Sequence, residues 1–451
     1  MQERLRNLRR DSLADPCILL TDTNRWPVVP RLAMRFEKLG AKVAVLCATP
    51  GHPVESLRER VQIFSYSGFQ PLSSLRMAVE TFRPDIIIPA CDRSVQHLHE
   101  LHGACQAEDG RAALSMSLLI ERSLGSPQSF SIVSNRYALL QTALEEGIRV
   151  PKLLAINEVS DLEHLSAEIP APWVIKTDGT WGGRGVRVAY SLAEAGQCLR
   201  ELTSRPDALQ LMKRMSLNRD RDWVYLDWSR PRPAVVAQAF IPGRPANCAA
   251  VCRDGEVLAV IAVEVIQSQG PTGPATIVQV VPGGEMMQAA ERIARRLRLS
   301  GFFGLDFVIE ERTGATYLIE MNPRCTPPCP LPLGESRDLV AAFWSHLKEQ
   351  PMPHTVSVTD KSRIAYFPQA SLRAPDAPDT ILSSSFVDIP AEEPNLVHQL
   401  RNPWVGRSLL GRFLDWIRQR LVREESTCTT RTVLFERAME IQPTTVADLD
   451  V

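Results

Sequence analysis

Two stretches of this 451-residue chain combine residue types and spacings that can do chemistry. The first runs Gly304-Leu-Asp306-Phe-Val-Ile-Glu310, then Glu311-Arg-Thr-Gly-Ala315, then Thr316-Tyr-Leu-Ile-Glu320-Met-Asn322. Read as a hairpin in which Glu310 pairs with Thr316, it sets Asp306 opposite Glu320, with Asn322 on the same face. Like charges facing each other are unfavourable unless a cation lies between them. Two carboxylates and a carboxamide offer the oxygen ligands that suit Mg²⁺, which also keeps nucleotide phosphate oxygens in its shell. A solvent-exposed polar face without an ion is the other reading of the same residues.

The second stretch is Trp173-Val-Ile-Lys176-Thr-Asp-Gly179-Thr-Trp-Gly182-Gly183-Arg-Gly185-Val-Arg-Val188. A phosphate-binding P-loop needs Gly-Lys-Ser/Thr at its end and a helix after it, and both are missing. Strand, glycine loop, strand reads instead as a mobile hairpin flap. Its backbone N–H groups can approach phosphate oxygens because glycine removes the side-chain obstruction, and Lys176 adds a positive charge. An ordinary Gly-rich hairpin is the alternative.

Elements must hold these stretches in place. Cys17 to Thr21, Lys42 to Cys47 and Asp85 to Pro89 are continuous apolar runs separated by helical patterns such as Val28 to Leu39. Such runs imply a parallel sheet covered on both faces. No glycine triplet follows the first strand, so a dinucleotide site has no support there. Asp22 and Asp92 end two of the strands, where ligands of such sheets sit; helix capping explains both equally well. A helix around Arg136 to Glu146 stops at Gly147, and the last hundred residues are Pro-rich. The expected organisation is an α/β and α+β multidomain chain, with an N-terminal parallel-sheet domain over 1–125. A linker helix and small flap-bearing lobe follow over 126–243, a larger lobe with the metal site over 244–350, and an extension over 351–451.

Charge is balanced, 51 Lys+Arg against 52 Asp+Glu, which argues against a general nucleic-acid binder. A 44% hydrophobic content excludes disorder, and no run approaches the 18 apolar residues of a membrane span. The first fifteen residues lack the apolar core of a signal peptide, and the ten cysteines are scattered as in cytosolic proteins. A cytoplasmic protein is expected.

Jointly, the two stretches and their order resemble the ATP-grasp superfamily. There an N-terminal α/β domain precedes a small flap-bearing lobe and a larger metal-bearing lobe, with ATP held between the lobes. The resemblance covers about residues 125–345, and the run Glu320-Met-Asn322-Pro-Arg324 is similar to the corresponding segment of biotin carboxylase and carbamoyl-phosphate synthetase. It implies that Lys176 and the glycines Gly179, Gly182, Gly183 and Gly185 contact the ATP phosphates. It implies that Asp306, Glu320 and Asn322 hold Mg²⁺, with Mn²⁺ as a substitute, and that Arg324 lies near the reacting phosphoryl group. Gln238, Ala239, Phe240 and Ile241 match the inter-lobe segment whose backbone reads adenine. Arg136 stands where the family carries a nucleotide-contacting lysine and is expected to contact the nucleotide in its place, Gln238 replaces a frequent acid, and the acid that commonly holds the ribose has no equivalent near Pro245 and Asn247.

The activity implied is ligation: a small carboxylate becomes an acylphosphate, flap closure keeps water out, and an amine displaces phosphate. A bicarbonate-activating, carboxyphosphate-forming relative is the alternative, disfavoured because no biotin-carrier or ammonia-supplying domain is evident. A degenerate ATP-binding regulatory module is the other. Small carboxylate and amine substrates, no nucleic acid and a homo-oligomer are expected. Three further features are given structural readings. His97, His99 and His102 read as a solvated helix face. Cys325 and Cys329, like Cys248 and Cys252, lack the two-residue gap of a zinc knuckle, although Cys325 could line the substrate pocket. The amphipathic run 407–423, with Leu410, Phe413, Leu414, Ile417 and Leu421 in helical register, reads as docking on the protein or a twin subunit ahead of a membrane surface.

Overall fold

Strands buried on both faces need helices above and below them, and the first of three sheets is built that way. The computed structural model describes residues 15–158, 160–179, 185–204, 234–270, 273–373 and 379–402. Strands β1 (Cys17–Asp22), β2 (Lys42–Cys47), β3 (Gln62–Ser65) and β4 (Ile86–Pro89) form a parallel sheet in the order β3-β2-β1-β4. Alternation decides which core each residue enters. Leu19, Ala44, Leu46 and Ile87 pack under helices Pro71–Phe82, Asp92–Gln106 and Arg111–Leu124. Ile18, Leu20, Val43, Val45, Ile86 and Ile88 face the helix Val28–Lys38. The three apolar runs are thus found as strands; β3 escapes a reading by apolar run because only Phe64 in it is buried.

A second sheet, antiparallel and in the order β5-β8-β6-β7, is made of β5 (Leu153–Ile156), β6 (Trp173–Thr177), β7 (Val186–Ala189) and β8 (Val235–Ala239). Trp173, Ile175, Val235 and Ala237 bury one face against helices Asp161–Glu168 and Leu192–Thr203. The period of two therefore turns Val174, Lys176, Val236 and Gln238 to the opposite face.

The third sheet has seven strands in the order β13-β12-β9-β10-β11-β14-β15. They are β9 (Gly243–Arg253), β10 (Glu256–Ser268), β11 (Ala275–Val281), β12 (Gly301–Glu310), β13 (Thr316–Asn322), β14 (Arg363–Tyr366) and β15 (Phe386–Asp388). On one face Leu305, Phe307, Leu318 and Met321 pack with helix Gly284–Leu297 and with Leu139, Leu140 and Ala143 of helix Arg136–Glu145. The other face shares its core with the first sheet, where Phe36 meets Phe302 edge-on at 6.3 Å and Phe302 meets Phe343 at 5.3 Å. Two expected boundaries change character as a result. The linker helix belongs to the core of the larger lobe, and residues 363–388 from the expected extension complete its sheet through β14 and β15. Gly125, at the first boundary, has φ 98°, and a Cβ there would lie 2.2 Å from the carbonyl oxygen of Arg298. Only glycine fits so close an approach. No helix among the described residues is long and apolar enough to cross a membrane, and the run 407–423 lies outside them.

Candidate functional site

The Asp306 hairpin reaches the expected pairing by an unexpected route. Ile309, not Glu310, faces Thr316, because Gly314 (φ 72°) turns the chain so that Glu310 N–H donates to Ala315 O. A bulge then takes up the difference: Phe307 faces Leu318 and Asp306 faces Glu320, leaving Ile319 as the extra residue. Gly304 faces Asn322, whose Nδ2 donates to Asp306 Oδ2 at 2.9 Å. On the other flank Asp306 faces Asn247 of β9. Burial and the Glu320 charge push the Asp306 carboxyl up to about 6. Burial also acts upward on Glu320, but Arg136 and Lys176 outweigh it and hold that carboxyl below its ordinary value. Of the two facing carboxylates, Glu320 takes a hydrogen bond from a guanidinium and Asp306 one from a neutral amide.

From the second sheet, Lys176 crosses to the hairpin and its Nζ donates to the carbonyl of Ile319, the bulge residue, at 3.3 Å. Burial pulls its ammonium down to about 8, although Glu320 acts against this. Thr177 N–H donates to Gly185 O, and Gly179 adopts φ 72°. Gly182 and Gly183 lie outside the described residues. Gln238 shares the Lys176 face and is buried with no partner for its Nε2. Two donors of the expected adenine-reading segment are already engaged: Ala239 N–H binds Lys152 O and Phe240 N–H binds Pro172 O. The end of β8 spends them tying its lobe together, which leaves the Gln238 Nε2 donor on this face without a partner.

Arg136 begins its helix just after Asn135, whose side chain accepts from Ala138 N–H as the N-cap. Its guanidinium does not stand free for phosphate. Nη2 donates to Glu320 Oε1 at 2.6 Å, and Nη1 donates to Thr177 O at 2.9 Å and reaches Asp178 Oδ1 at 3.4 Å.

Arg324 is held by both the hairpin and the first domain. Nη2 donates to Asn322 Oδ1 at 2.9 Å, Nε to Asp92 Oδ2 at 2.8 Å, and the guanidinium lies over the Trp26 ring at 5.8 Å. The cap before Asp92 is Cys91, so Asp92 is a first-turn residue turned to the site and not a capping side chain. Asp22 proves structural. It is fully buried and accepts from Asn24 N–H, Trp26 N–H and His52 Nε2. Trp26, Asn247 and the Ile319 carbonyl were missed. Trp26 sits four residues past the end of β1, where the strand-end rule could have found it.

The histidine run is not a solvated face. His97 bonds Tyr66, His102 Nε2 contacts Glu121 at 2.9 Å, and His99 stacks on Phe130 at 4.0 Å. The thiols are buried too. Cys248 and Cys252 donate to the carbonyls of Met286 and Gly301, and Cys329 Sγ accepts from Thr326 N–H.

Residues 216–328 match the family model described as an ATP-grasp domain. Several solved structures share the architecture over three quarters of the chain. Among them are N5-carboxyaminoimidazole synthetase from Staphylococcus aureus complexed with ADP (TM-score 0.54, 14% identity, 77% of this chain and 82% of that one). Another is L-amino acid ligase from Bacillus licheniformis (TM-score 0.51, 14% identity, 76% and 75%). The chain has an ATP-grasp fold. In sequence, 96 residues are 29% identical to N5-carboxyaminoimidazole ribonucleotide synthase of Mycobacterium tuberculosis, covering 21% of this chain and 22% of that protein. The match thus spans about a fifth of the curated relatives' length. In this fold the second and third sheets are the two lobes, and Lys176 and Arg136 bridge them at the Asp306–Glu320 hairpin.

Proposed function

We propose that the chain is an ATP- and Mg²⁺-dependent ligase that activates a small carboxylate as an acylphosphate and joins it to an amine, releasing ADP. The observation that carries this is the convergence of Lys176, Arg136 and Arg324, from three separate elements, on the Asp306–Glu320–Asn322 face. The donor set fits the metal. All three side chains offer oxygens, and burial together with the facing Glu320 charge holds the Asp306 carboxyl at about 6 against the Asn322 amide, Arg324 and Lys176. Asp306, Glu320 and Asn322 would hold the ion, Mg²⁺ or Mn²⁺, whose charge offsets that of the nucleotide phosphates.

The chain's own side chains supply the rest. Lys176 places an ammonium at the lobe interface, where charge on the transferring phosphoryl group needs compensation. Arg324 is oriented by Asn322 and Asp92, leaving guanidinium N–H groups for the attacking carboxylate or the acylphosphate. Gln238 bonds the nucleotide base in this reading, which its buried, unpartnered Nε2 on the same lobe face as Lys176 supports. No covalent nucleophile is required.

Activation of bicarbonate is the second reading, favoured by the matched segment of N5-carboxyaminoimidazole ribonucleotide synthase. One assay separates the possibilities: ADP release over a panel of amino acids and small carboxylates with amine partners, with and without added bicarbonate. ADP formation that needs a carboxylate and an amine supports the first reading. Formation that needs bicarbonate supports the second. No ADP with any combination would leave an ATP-binding module.

A further inference from the structure

Arg136 does more than a phosphate-binding lysine could. A lysine ammonium is a point charge, whereas the guanidinium fork reaches several acceptors at once. Here it spans both lobes, donating to Thr177 O and Glu320 Oε1 while lying beside Asp178. Its Nε is buried with no partner, so one donor is left over for a further acceptor. Glu320 is also one of the two carboxylates read as metal ligands. A carboxylate closed onto a guanidinium at 2.6 Å receives a divalent cation only against the repulsion of that guanidinium. The two cations compete for one carboxylate.

We propose that Arg136 is a positioning residue that makes metal entry conditional on nucleotide: phosphate oxygens draw the guanidinium off Glu320 and so open the carboxylate to the ion. This rests on the metal and nucleotide reading given above and deepens it, because it predicts an order of binding that the reading alone does not. Phosphates are the natural competitor, since they accept bidentate guanidinium bonds at least as well as a carboxylate does. By linkage, metal must in turn tighten nucleotide binding by the same factor.

The test uses the full chain and Mn²⁺ followed by electron paramagnetic resonance, with and without a non-hydrolysable ATP analogue. In the wild-type chain the analogue should tighten Mn²⁺ binding by about tenfold or more. Arg136→Gln should bind Mn²⁺ without the analogue more tightly than wild type does, so that the analogue's effect shrinks below its wild-type value to what the phosphate oxygens add as ligands. Arg136→Lys, which keeps the charge but not the fork, should fall between them. A merely structural role cannot produce tighter metal binding, so misfolding does not mimic this result. If Arg136→Gln binds Mn²⁺ alone no more tightly than wild type, the inference is wrong while the metal reading stands. If Mn²⁺ binds the wild-type chain and Glu320→Gln equally with the analogue present, the metal reading fails and the inference falls with it.

Discussion

Asp22 and Glu320 are both carboxylates held by nitrogen donors, yet they belong to opposite kinds of cluster. Asp22 has no exposed surface, and every donor on it comes from residues 24 to 52 of its own domain. Val54 N–H donates to His52 Nδ1, which leaves the proton on Nε2 to point at Asp22. That cluster is complete. Glu320 keeps 26% of its side chain exposed, faces a second carboxylate and takes its cation from a helix 184 residues away. A locally satisfied charge serves the fold, and a charge left in conflict with its neighbour marks chemistry.

The contrast breaks if Glu320 proves structural. Glu320→Gln should lower turnover by about a thousandfold or more while leaving the thermal midpoint close to wild type. A collapsed midpoint in a melting curve, or retained activity, would place Glu320 with Asp22. Lys176→Met should cost about a hundredfold in kcat/KM, the size of one lost charge-stabilising donor. Asp22→Ala should do the reverse. By stranding three donors in a dry interior it should cost about 3 kcal/mol in urea unfolding, with the kcat of the folded fraction unchanged.

Two pH effects sharpen the difference. Activity that needs Asp306 ionised and Lys176 charged gives a kcat/KM profile that rises near 6 and falls near 8, and Lys176→Arg should move the falling limb to higher pH. The smallest effect concerns stability. Because the folded Asp306 carboxyl titrates at about 6, above its ordinary value of 3.8, the folded state holds that proton more tightly than the unfolded chain. Stability is therefore lost as pH rises between those values and stays lost above them. Asp306→Asn should be more stable than wild type in urea at pH 7.5, and the gain should disappear near pH 4.

The facing of Asp306 and Glu320 was legible from hairpin spacing even though the assumed register at the turn was one residue off. Alternation was enough because one face had to be apolar, and the bulge at Ile319 kept Leu318 and Met321 on the buried side. The shared face of Lys176 and Gln238 follows from the same period. What the sequence did not carry were pairings that only tertiary folding creates. Arg324 meets Asp92 across 232 residues and Arg136 meets Glu320 across 184, and no local pattern encodes either. Nor could the strand-end rule separate Asp22 from Asp92. Both lie at or just past the ends of strands of one sheet, and only the loop after β1, which folds back its own N–H groups, decides that Asp22 is used up.

The aromatic contact of Phe36, Phe302 and Phe343 has a consequence for how such a protein can diversify. With one core serving the first sheet and the sheet that carries Asp306, the N-terminal unit cannot be exchanged for another without breaking that core. A chimera would leave Phe302 without its mate, four residues from Asp306 on the same strand. The surroundings of Arg324 change instead by point substitution at Trp26 and Asp92, the two residues that the first domain sets against it.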